Sequence, residues 1–172
     1  MQRLPDIVTH TYHPGPGPFR NLCALDDGAA EGVLAHLRTA FGRCRSPHYL
    51  QRRKDTEAWL RAAAAAKGIA MARRHPIYFF LGDYDDSADP ARPAAITFPL
   101  SAFSARAVTF TYRDSMDCLN APAPYGQVYT LAEIEEFIAE VGMPNCGPPS
   151  DSLGPHRRAF VEMQLWDDVP LR

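Results

Sequence analysis

Near its C-terminal end the chain runs Phe160-Val161-Glu162-Met163-Gln164-Leu165-Trp166, a stretch that reads as a β-strand with two unlike faces. At the strand period of two, Val161, Met163 and Leu165 share one side, and Phe160, Glu162, Gln164 and Trp166 share the other. The first set is a core face. The second puts an acid and an amide between two aromatics, the composition of a cleft floor. A carboxylate in that setting is costly unless it is solvated, paired or used.

Other elements follow from pattern. Residues 5 to 12 are β-branched and aromatic and suggest a strand, which breaks at the loop His13-Pro14-Gly15-Pro16-Gly17-Pro18. A helix is predicted from about 28 to 41, with Asp27 as N-cap, Gly42 past its end, and Val33, Leu34, Leu37 and Phe41 inward. Ser46-Pro47 signals a second helix that continues to Gly68, with Leu50, Trp59 and Leu60 inward. Pro76 to Leu81, Ala95 to Phe98 and Val108 to Tyr112 read as strands, and 113 to 126 as an irregular loop. Thr130-Leu131-Ala132-Glu133 is a capping box that opens a helix with Ile134, Phe137, Ile138 and Val141 inward, ending at Gly142. A loop from Pro144 to Pro155 leads into the final strand. The order β–α–α–β–β–β–α–β lacks regular β/α alternation. It predicts one α+β domain over residues 1–172, with a largely antiparallel sheet and about three helices.

A net charge of −2 argues against a strongly basic nucleic-acid binder, although a local basic groove remains open. Cys23, Cys44, Cys118 and Cys146 are too widely spaced for a disulfide framework or a thiolate metal site. The N-terminus lacks an apolar signal core, and no apolar run approaches about 18 residues. These features lead us to expect a cytoplasmic protein with reduced thiols, no membrane contact and no metal.

Glu162 is the first candidate for chemistry, as a catalytic or ligand-binding carboxylate on a rigid strand. The alternative is an edge-strand glutamate turned to water and paired with Arg157 or Arg158. His10 and Tyr12 share a strand face and could hydrogen-bond a ligand's hydroxyls, and a structural histidine is the other reading. His10 with His13 lacks a third metal ligand. Tyr78 lies among phenylalanines, as core tyrosines do, and Arg52-Arg53 and Arg73-Arg74 are surface pairs by default. The loop from Asp83 to Asp89 lacks the glycine and the final glutamate of a calcium loop.

Taken in order, Thr9-His10-Thr11, Pro76-Ile77-Tyr78-Phe79 and Phe160-Val161-Glu162-Met163 resemble the DarT-type ADP-ribosyltransferases, bacterial toxins that modify DNA bases using NAD. That family has a His-Thr element on its first strand, an aromatic strand midway and a catalytic glutamate near its end. Phe110-Thr111-Tyr112-Arg113-Asp114 falls where the family has a Phe-Thr-Asp stretch. The Pro-Gly loop departs from the family pattern, and the family's NAD-binding arginine has no single counterpart, Arg52 and Arg53 being nearest. The resemblance implies an ADP-ribosyltransferase-like fold with NAD as substrate. Glu162 would be catalytic, His10 would bond the NAD ribose, Tyr78 would pack on nicotinamide and an arginine would hold the pyrophosphate; Tyr12 is grouped with these as NAD-binding. The acceptor is open, nucleic acid included. The rival readings are a non-catalytic binding protein engaging a protein partner, and a small hydrolase using His10 and a carboxylate.

Overall fold

The strand-forming segments become a single antiparallel sheet. The computed structural model describes residues 3–85, 87–144 and 160–170. Its strands are β1 (Ile7–Tyr12), β2 (Ile77–Leu81), β3 (Ala94–Pro99), β4 (Val108–Thr111) and β5 (Glu162–Leu165), in the spatial order β3-β1-β2-β5-β4. Every neighbouring pair is antiparallel. The helices are α1 (Asp27–Phe41), α2 (Tyr49–Ala66), the short α3 (Ser115–Cys118) and α4 (Leu131–Val141). This is an α+β domain, as the element order predicts. Among the described residues no helix is long and apolar enough to cross a membrane.

Register separates the two faces. Ile77 pairs with Leu165, and Phe79 and Phe110 both pair with Met163, so these side chains form one apolar row. The inward residues of α4, Ile134 and Ile138, pack on that row with no exposed surface. The other row holds Tyr78 opposite Gln164, Phe80 opposite Glu162, and Thr109 and Thr111 opposite the same two β5 residues. Part of that face is covered by α2, whose Leu60 and Ala64 pack against Trp166 and Tyr78. β5 is therefore an interior strand, and the edge-strand reading of Glu162 is overturned.

Helix boundaries move by a residue or two. Asp26, not Asp27, caps α1 by accepting from the Ala29 N–H at 2.8 Å. Only Ala30 and Leu34 of α1 are buried, and Val33 is 39% exposed, because the rest of the helix stands clear of the sheet. Ser46 does not cap α2 with its side chain; its carbonyl accepts from Tyr49, the first helical residue. Gly68 takes the left-handed φ of 70° that ends this helix. The loop expected over 113–126 contains α3, and the 144–155 loop and Arg157-Arg158 lie almost wholly outside the described residues.

The α4 capping box forms as the sequence predicts, with Thr130 accepting from the Glu133 N–H and Glu133 accepting from the Thr130 N–H. Ile138→Ala should lower unfolding free energy by about 2–5 kcal/mol, and Thr130→Ala by about 1 kcal/mol. Urea denaturation followed by circular dichroism checks both; equal losses would mean that α4 is not held by its buried stripe.

Candidate functional site

Glu162 opens β5 and is 6% exposed. A directed chain of hydrogen bonds ends on it. The Trp166 indole N–H donates to Thr109 Oγ1 at 2.9 Å, and Thr109 Oγ1 donates to Gln164 Oε1 at 2.9 Å. The Gln164 amide then donates to Thr111 Oγ1 at 3.1 Å and to Glu162 Oε1 at 3.0 Å. Each side chain in the chain is oriented by the one before it, so the carboxylate sits on a rigid base. Ser115 Oγ lies beside the carboxylate, buried and without a well-formed hydrogen bond. Burial raises the Glu162 pKa from 4.5 to about 7, and the negative charge of Asp114 adds to the rise, while Arg53 opposes it.

Arg53 projects from α2 onto the same floor. Its guanidinium stands 4.1 Å above the Tyr78 ring, and its side chain is 16% exposed. Its nearest acid is Glu57, with Nε 3.9 Å from Oε1, and it donates no hydrogen bond among the described residues. Burial alone would lower its pKa, but attraction from Tyr78, Glu162 and Glu57 outweighs that, so the cation is retained. Arg52, one residue earlier, turns elsewhere. It donates to the Met116 carbonyl at 2.6 Å and its side chain is 56% exposed.

Behind this wall lies a second buried carboxylate that the sequence reading missed. Glu57, 1% exposed, accepts from Asn21 Nδ2 at 2.8 Å and from the Tyr78 hydroxyl at 2.9 Å, and pairs with His75 Nδ1 at 2.7 Å. Tyr78 therefore has its hydroxyl engaged and one ring face covered by Arg53. Burial pushes its pKa well above the ordinary value. The one sequence signal for Glu57 is its spacing of four from Arg53 within a helix.

His10 is on the opposite side of β1 from Glu162, since Thr9 pairs with Phe80 and Phe80 pairs with Glu162. Pairing of β1 with β2 stops at Thr9, and the imidazole enters the gap. The Phe19 N–H donates to Nε2 at 2.9 Å, so the ring proton is on Nδ1, which donates to the Tyr78 carbonyl at 2.8 Å. Burial lowers its pKa and favours this neutral form. Both nitrogens are thus taken by backbone. Tyr12 is half-buried, with its ring centroid 6.2 Å from that of His10. On the Glu162 side of β1 lie Thr9, whose hydroxyl donates to the Gly82 carbonyl at 2.8 Å, and Thr11, whose buried hydroxyl has no hydrogen-bond partner among the described residues.

Glu162, Arg53, Tyr78, His10, Tyr12 and Thr11 line one cleft of about 2200 Å³, to which β1, α1, α2, residues 87–92 and α3 contribute. Of the residues singled out from the sequence, Glu162, Arg52, Arg53, Tyr78, His10 and Tyr12 all border this broad cleft, with His10 on the opposite side of the sheet from Glu162 and Arg52 turned to the Met116 carbonyl. Two free thiols line it, the exposed Cys44 and the buried Cys118. Burial pushes Cys118 up to about 12 and Cys23 up to about 11. Among the described residues no cluster of three metal-ligating side chains occurs. No family model, curated protein or solved structure matches the chain.

The raised Glu162 pKa has a signed consequence. Folding takes up a proton between pH 4.5 and about 7, so Glu162 lowers stability progressively as pH rises through that window. Glu162→Gln, neutral throughout, should gain on the wild type by ~3 kcal/mol between pH 4 and pH 8. Denaturation series at several pH values measure this, and a pH-independent difference would contradict the buried, protonatable state.

Proposed function

We propose that this protein is an NAD-dependent ADP-ribosyltransferase-like enzyme with the corresponding fold, acting on an unidentified acceptor, nucleic acid included. The observation that carries the reading is Glu162, a buried carboxylate on a cleft floor beside a guanidinium with free donors.

In the proposed reaction the bond between ribose C1 and the nicotinamide nitrogen breaks, and its electron pair stays with nicotinamide. Positive charge develops on the ribose, as in glycoside hydrolysis. Glu162 offsets that charge, holds a ribose hydroxyl and takes the proton of the nucleophile that bonds to C1. A carboxylate with a pKa of about 7 suits proton transfer near neutrality. Arg53 is favoured over Arg52 for the pyrophosphate because its donors are free and its position is nearly enclosed. Tyr78 supports Arg53 from below. Thr11 offers a hydroxyl on the same side.

Nicotinamide release from NAD by the purified protein tests this. Glu162→Gln should lower the rate on the order of 10²–10³-fold with folding retained. Absence of both release and NAD-dependent thermal stabilisation would leave the cleft as a docking surface for a protein partner, and the enzyme reading would fail.

A further inference from the structure

We propose that Glu57 is a positioning residue that aims Arg53 and Tyr78 at the cleft without itself touching a ligand. The inference rests on the NAD reading of that cleft.

Glu57 faces away from the cleft, which none of its atoms line. Its carboxylate joins three segments: Asn21 beyond the Pro-Gly loop, His75 ahead of β2, and Tyr78 within β2. Asn21 is fully engaged, since it also donates to the Pro76 carbonyl at 2.7 Å and accepts from the Cys23 N–H at 2.7 Å. The carboxylate is thus gripped by groups that are themselves fixed. An apolar side chain in the same place would fill the volume without the cost of burying charge.

A carboxylate supplies two things here that an apolar residue would not. It draws the Tyr78 hydroxyl away from the cleft, which sets the plane of the ring beneath Arg53. It also attracts the Nε edge of the guanidinium, so the other edge of that planar fork is presented to the cleft. Reorienting either group would misplace the donors that the ligand's anion needs.

The test compares wild type, Glu57→Ala, Glu57→Gln and Tyr78→Phe in the full chain. One readout needs no substrate: hydrogen exchange of the Arg53 Nε–H, followed by ¹⁵N NMR. It should be about tenfold faster in Glu57→Ala, as when one ordering contact to a charged group is lost. In Glu57→Gln it should fall between the two, because the amide oxygen still accepts from Tyr78 and Asn21 while the charge that attracts the Nε edge is gone. The second readout is nicotinamide release, where Glu57→Ala should raise KM for NAD about tenfold and leave kcat of the folded protein nearly unchanged. A merely structural role would reduce the folded fraction without moving KM or the exchange of folded molecules. If Glu57→Ala does not fold, Tyr78→Phe carries the same two readouts. Arg53 exchange and KM both unmoved would overturn the proposal. Altered exchange in a protein whose wild type neither binds nor cleaves NAD would support the positioning role and refute the NAD reading alone.

Discussion

Two buried carboxylates, Glu57 on α2 and Glu162 on β5, share the field of one guanidinium, Arg53. Each acid would be expensive to enclose by itself, and Arg53 would be expensive to enclose without them. Their mutual attraction lets α2 lie directly on the polar half of the sheet, where its neighbours Leu60 and Ala64 then meet Trp166. Apolar packing of the helix and its electrostatics are therefore solved at the same place. The balance is uneven: Glu57 is amply hydrogen-bonded, whereas Glu162 receives one bond from Gln164 and faces Asp114. Burial and the nearby Asp114 therefore raise the Glu162 pKa to about 7.

The cleft exists because β1 and β2 part after Thr9. A continuous ladder would close the sheet, but the His10 imidazole takes the Tyr78 carbonyl and the Phe19 N–H instead. A neutral histidine can donate with one nitrogen and accept with the other, which is what this gap between two backbone groups requires. His10 thus serves the site by shaping it. Its rings of contact, Phe19 at 4.9 Å and Phe79 at 5.4 Å, anchor the imidazole in the apolar layer below.

The rim of the cleft is tied across by Asp89, which is buried and paired with Arg43 from the α1–α2 connection and with Arg92 from its own loop. Those contacts and the hydroxyl–amide chain from Trp166 to Glu162 divide the labour. The rim links loops distant in sequence, and the floor is built from strands whose register leaves no choice of partner.

Alternation and capping, properties of neighbouring residues, are written in the sequence itself. The two faces of β5, the α4 helix with its Thr130–Glu133 box, and the glycine Gly42 that ends α1 all follow from spacing, and so does an antiparallel α+β sheet from the order of elements. Glu162 could be singled out because an acid on an otherwise apolar and aromatic strand is anomalous locally. What spacing cannot express is which strand lies beside which. β5 falls between β2 and β4, and that placement turns Glu162 from a candidate for solvent into a buried acid. The same holds for Glu57, which looks like any solvated helical glutamate until Asn21, His75 and Tyr78 close around it, and for His10, whose role depends on a gap between strands some seventy residues apart. Spacing along the chain yields the elements and the anomalous residues, whereas burial and partners depend on distances between residues far apart in sequence and arise only on folding.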